Sequence, residues 1–104
     1  MNLGTLPEEE YKISGEVEVF PTTEEMAGGW YYLGLPKKYT KQFAPFAERG
    51  LVAASFTLGD TSWDSSLLPK GDGTLFIALS KKVRQAESVS EGDKVSISFR
   101  LRER

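Results

Sequence analysis

The chain has 104 residues, 13 basic and 15 acidic side chains, a net charge of −2, and neither histidine nor cysteine. The commonest general base, the commonest metal ligands and the thiol nucleophile are therefore missing, and no metal or cofactor is expected. Its length suits one domain with a modest hydrophobic core, and no apolar run approaches the roughly 20 residues of a membrane span.

The opening MNLGTLPEEEYK has neither a basic n-region nor an apolar h-region, so it does not resemble a signal peptide and the cytoplasm is the expected location. The absence of cysteine fits a reducing compartment. Charge is unevenly spread: residues 1–25 hold seven acids and one lysine, leaving the rest of the chain mildly basic. Residues 1–10 are expected to be an acidic tail and 11–104 a single domain, whose basic part suits an anionic partner.

Tyr11, Ile13, Gly15, Val17 and Val19 alternate with Lys12, Ser14, Glu16 and Glu18, the period-two pattern of a half-buried strand ended by Pro21. Thr22 to Met26 is a short helical turn or a loop, and Gly28-Gly29 breaks the chain before a strand from Trp30 to Leu35. Lys37 to Arg49 spaces Tyr39, Phe43, Phe46 and Ala47 along one face, which predicts an amphipathic helix ending at Gly50. Pro45 opposes a continuous helix and predicts two pieces split near Ala44.

Leu51 to Leu58 and Thr61 to Leu67, joined by Gly59-Asp60, form a predicted hairpin. Lys70-Gly71-Asp72-Gly73 then turns the chain into a strand carrying Leu75, Ile77 and Leu79. Ser80 is placed to cap a helical turn over Lys81 to Ala86, and Gly92-Asp93 precedes a last strand in which Val95, Ile97, Phe99 and Leu101 alternate with polar residues. The sum is a mostly β chain of six strands and one short amphipathic helix. A small closed or nearly closed barrel hides the edges of such strands, with a two-sheet sandwich as the alternative.

In order, the segments GGWYYLGLP, LVAASFTLGDTSWDSSLLPKGDGTLFIALSKKVR and SEGDKVSISF resemble the DUF1905 family, a domain of unknown function. The resemblance spans roughly Tyr11 to Leu101 and implies a small β-barrel, without supplying catalytic residues. The family's aromatic strand corresponds to Trp30 and Tyr32, and its basic turn to Lys81, Lys82 and Arg84. A more local resemblance, Ile77 to Ile97, is to the strand, short helix, Gly-Asp, strand unit of AbrB-type swapped-hairpin DNA-binding proteins. Ser80 stands where that unit usually has proline, and the chain is acidic overall, so nucleic acid is the lesser alternative.

Lys37, Lys38, Lys41, Lys70, Lys81, Lys82 and Arg84 would flank a pocket mouth if the barrel brought their turns to one end, and such cations suit phosphate or carboxylate. Lysines in turns also keep loops soluble and blunt exposed edges. Trp30 and Tyr32 share one strand face and Tyr31 takes the other, with Trp30 expected in the core and Trp63 placed as easily at a rim as in the core.

Serines are numerous, but without histidine their activation would need a lysine, and Ser80 and Lys81 are adjacent rather than spaced as in Ser-Lys hydrolases. An enzyme would fall back on Lys81, Arg84, Asp64 and Tyr32. The expected function is instead noncatalytic: binding of an anionic or aromatic small ligand, or of a protein partner, through Trp30, Tyr32, Lys37, Lys38, Trp63, Lys70, Lys81, Lys82 and Arg84.

Overall fold

The first strand of the chain serves two partners. In the computed structural model, which describes residues 6–20 and 30–103, β1 (Tyr11–Glu16) runs antiparallel to β7 (Lys94–Leu101), from Tyr11 opposite Phe99 to Glu16 opposite Lys94. Val17 interrupts the ladder, its N–H donating to the carbonyl of Asp93 and its carbonyl accepting from Gly92. β2 (Glu18–Val19) then pairs with β3 (Tyr31–Gly34). The predicted single strand is thus two short ones, which is why the sheet has seven strands rather than six.

The remaining elements follow the expected order. α1 (Lys38–Phe43) and a 3₁₀ turn (Ala44–Phe46) precede the hairpin of β4 (Val52–Leu58) and β5 (Thr61–Pro69). β6 (Leu75–Leu79), α2 (Lys81–Glu87) and β7 complete the chain. The strand order is β1-β7-β4-β5-β6-β3-β2. Because β1 and β2 are consecutive in sequence, the two ends of that order are joined covalently and the sheet becomes a nearly closed barrel.

Two short helices replace the one expected. The helix predicted over residues 37–49 is split at Ala44: Pro45 sits in the 3₁₀ turn, and Ala47 is extended with ψ 140°. The chain then reverses at Arg49 and Gly50, with φ of 56° and 82°, while Glu48 and Leu51 exchange both backbone hydrogen bonds. Gly50 therefore belongs to a tight two-residue turn rather than to a helix end. In α2 the Ser80 hydroxyl accepts from the N–H of Val83 at 3.2 Å, the cap its position predicts. The possible helical turn at Thr22 to Met26, Pro21 and the Gly28-Gly29 break lie outside the described residues.

Inward-facing residues of the strands form one core, including Ile13, Leu33, Val52, Phe56, Leu67, Ile77, Ile97 and Phe99. α1 closes one side of it with Phe43, which is fully buried, its ring 5.0 Å from Tyr11 and 6.0 Å from Phe99 between centroids. Burial pushes the Tyr11 hydroxyl pKa up, with the nearby Glu9 carboxylate adding to the effect. Near Leu6, which packs on this core, Glu8, Glu9 and Glu10 are exposed.

The β5–β6 junction is short. Only Leu68 with Phe76 and Pro69 with Leu75 are paired, whereas β4 and β5 are matched over seven residue pairs from Val52–Leu67 to Leu58–Thr61. The turn between β5 and β6 is held by Asp72, whose carboxylate accepts from both the N–H and the hydroxyl of Thr74.

Phe43→Ala should cost about 3–5 kcal/mol, a large share of the roughly 5–15 kcal/mol that stabilises a typical domain, and urea unfolding measures it. The hydrogen bonds from Thr74, hydroxyl first, hold the Asp72 carboxyl below its ordinary pKa of 3.8. Its charge therefore stabilises the fold above that pH and ceases to do so as the pH falls through the folded-state value. Wild type should exceed Asp72→Asn in urea midpoint at neutral pH, with the gap closing in acid well below pH 3.8.

Candidate functional site

Beyond Leu68 and Phe76, β5 and β6 diverge, and the opening between them is a groove of about 480 Å³. Trp63, Asp64 and Ser65 line it from β5, Ala78 and Leu79 from β6, Ser80, Lys81 and Arg84 from the start of α2, and Trp30 and Tyr31 from the β3 side. The alternation of β5 shows that it cuts into the barrel wall: Leu67 is fully buried, yet Ser65, on the same face, is exposed. Trp63, one further step along that face, is half-buried and stacks on Phe56 at 5.5 Å. Farther along β5, beyond the lining residues, Glu87 of α2 accepts a 2.6 Å hydrogen bond from Thr61.

Arg84 is the most constrained cation of the groove. Its guanidinium lies 3.8 Å from the centre of the Tyr31 ring, and its Nε donates to the carbonyl of Leu79. Both contacts follow from strand pairing, because Tyr31 sits opposite Leu79. Stacking and one hydrogen bond fix the guanidinium plane, while its terminal nitrogens make no hydrogen bond among the described residues. Lys81 adds a second cation at the groove. Asp64, on the β5 side, brings a carboxylate already engaged by the Ser55 hydroxyl at 2.7 Å.

Of the nine expected ligand residues, Trp30, Trp63, Lys81 and Arg84 meet at this groove. Trp30 was expected in the core, but it lies just before β3 and is 45% exposed, touching Phe76 at 6.4 Å. Tyr32 does take the strand face opposite Tyr31, and there it is buried, stacked on Phe20 at 4.2 Å. The Lys70 ammonium stands 5.1 Å from the Tyr32 ring. A hydrogen bond to Tyr32 raises the Lys70 pKa against the desolvation that lowers it. Tyr32 thus does not line the groove with Trp30, Trp63, Lys81 and Arg84, nor does it meet Asp64 there.

The basic turns do not share one end. Lys37, Lys38 and Lys41 border a separate hollow with Gly73, whose carbonyl accepts from the Thr40 hydroxyl. Lys70 is at that same end, within 3.9 Å of Asp72. Lys81, Lys82 and Arg84 follow β6 at its other end, roughly 13 Å away along a five-residue strand. Lys82 is exposed on α2 and does not line the groove.

The groove residues that sequence reasoning did not select are Tyr31, Ser65, Ala78, Leu79 and Ser80. Their only advance signal was Pro69, which cannot donate to a ladder and stands where β5–β6 pairing is shortest. Among the described residues, no helix is long and apolar enough to cross a membrane, and no group of three or more acidic side chains could hold a metal ion.

The family model for a domain of unknown function, DUF1905, matches residues 15–99, a span that contains every residue lining the groove. Among curated proteins, none matches the chain.

Both tryptophans of the chain lie at this groove, so selectively excited tryptophan emission reports on it alone. Trp63→Phe, which leaves the exposed Trp30, should emit at longer wavelength and be quenched more strongly by acrylamide than Trp30→Phe.

Proposed function

The chain belongs to the DUF1905 family, and from the groove that its barrel wall leaves open we propose that it is a noncatalytic binding module for ligands joining a flat apolar body to an anionic group. The observation that carries this reading is the meeting of Trp30 and Trp63 with Arg84 and Lys81 on one opening. Indole faces offer large, rigid contact area at small entropic cost, and a guanidinium with a fixed plane can take a carboxylate or phosphate through two parallel hydrogen bonds. The volume falls within the range of small-molecule sites.

A binding role is favoured over catalysis by what surrounds the polar groups. The Ser80 hydroxyl is spent on the α2 cap, and the Asp64 carboxylate is held by Ser55. Ser65 has no histidine in the chain to activate it. Separation of the cations onto two ends of β6 also works against a duplex footprint, which draws on phosphate contacts along a continuous basic face.

Titration with naphthalene-2-carboxylate, indole-3-acetate and a nucleoside monophosphate, followed by tryptophan emission, tests the reading. At least one should give a saturable change that weakens with added salt. Losing a charge-assisted pair costs about 1.5–3 kcal/mol, so Arg84→Ala should weaken that binding about 10- to 100-fold. Unchanged emission and an unchanged Tm with all three at millimolar concentration would remove the proposal.

A further inference from the structure

We infer that the natural occupant of the groove is the C-terminal end of a protein partner, added as a short strand to the open edge of β5 with its terminal carboxylate on Arg84. The inference rests on the binding reading above and names the ligand class. Its first support is the direction of the backbone groups. The N–H of Arg102 donates to Ala53, so Ala53 turns its backbone toward β7 and the alternation turns Ala54 and Phe56 toward β5. Their partners there are Ser65 and Trp63. Asp64 and Ser66 therefore direct their N–H and C=O groups to the opposite edge, toward β6.

On β6 the N–H of Leu35 donates to Leu75, which by the same alternation leaves Phe76 and Ala78 facing β5. Phe76 meets Leu68, and a continued ladder would set Ala78 against Ser66. That pairing is not made: among the described residues, Asp64 and Ser66 have no strand partner on this side. Two facing edges bordering one groove offer the main-chain hydrogen bonds by which an extended peptide joins a sheet.

The second support is that the gap between the two strands is bounded along their length. β5 and β6 are paired again at Leu68 and Phe76, and at the other end, past the lining residues, α2 is tied to β5 by the hydrogen bond from Thr61 to Glu87. A polypeptide passing through would collide with one of them, whereas a chain end can stop inside. The third is charge: Arg84 and Lys81 stand where the end would lie, matched to a carboxylate, and Trp30 and Trp63 flank room for a large apolar last side chain.

Acetylated pentapeptides ending in Phe, Trp, Leu or Val, as free acids, as C-terminal amides and as singly N-methylated forms, make the test by tryptophan emission. Free acids should bind, and amides should bind at least about tenfold more weakly. N-methylation should weaken binding at alternate positions only, the period of a strand. Hydrogen exchange at the N–H groups of Asp64 and Ser66 should slow on binding.

Equal binding of acid and amide, or indifference to N-methylation at every position, would overturn strand addition by a chain end. So would failure of all the peptides while a small aromatic acid still binds, a result that would leave the groove's anion-binding role standing. Failure of peptides and small acids alike would remove both proposals.

Discussion

Everything in this barrel depends on one strand pairing with two partners. From Tyr11 to Glu16 the chain follows β7, and from Glu18 to Val19 it follows β3, with Val17 buried at the crossing. A sheet of short amphipathic strands must hide its edges, and sharing the first strand between both ends of the sheet does this at the cost of one interruption in the ladder. Gly15, just before the crossing, has little spare room, since a Cβ there would stand 3.1 Å from Leu33 Cδ1. Closure on the β1/β2 side allows β5 and β6 to part on the other without the barrel opening as a whole.

The elements most legible in the sequence were those governed by local chemistry. Period-two alternation marked Tyr11 to Val19 and Val95 to Leu101, Gly59-Asp60 marked the β4–β5 hairpin, Ser80 marked a helix start, and Pro45 marked the break in the first helix. Each rule acts over a few residues and has little to compete with. Gly50 was misread because a glycine after a helical pattern signals a cap as readily as a turn; Arg49 in the left-handed region decided it.

The site was only half legible, for a physical reason. Trp63, Ser65 and Leu67 share one face of a regular strand, and nothing in their order tells that Leu67 is covered while Ser65 is not. Exposure there is set by where β6 leaves β5, a nonlocal event. The same applies to the cations. Lys70 and Lys81 both follow turn-like residues, but the five-residue strand between them carries one set away from the other. Loop composition marks a turn without saying which end of a barrel it occupies.

An open strand edge is a hazard as well as a site, because it can pair with a second copy of itself. The side chains along this one limit that risk. The exposed Ser62, Asp64 and Ser65, with the half-buried Ser66, make this stretch of β5 polar, and Asp64 sets a negative charge at the edge that two copies would bring together. Strands of this composition have little apolar surface to gain by associating, so the edge discriminates against partners that offer only backbone. For the proposed occupant, selectivity then passes to the groove's other walls, where it would have to satisfy Arg84 and fill the space beside two indoles. In the binding role we propose, polar edge and apolar, cationic walls act together: the first suppresses general strand pairing, and the second would supply affinity for a ligand with the matching end.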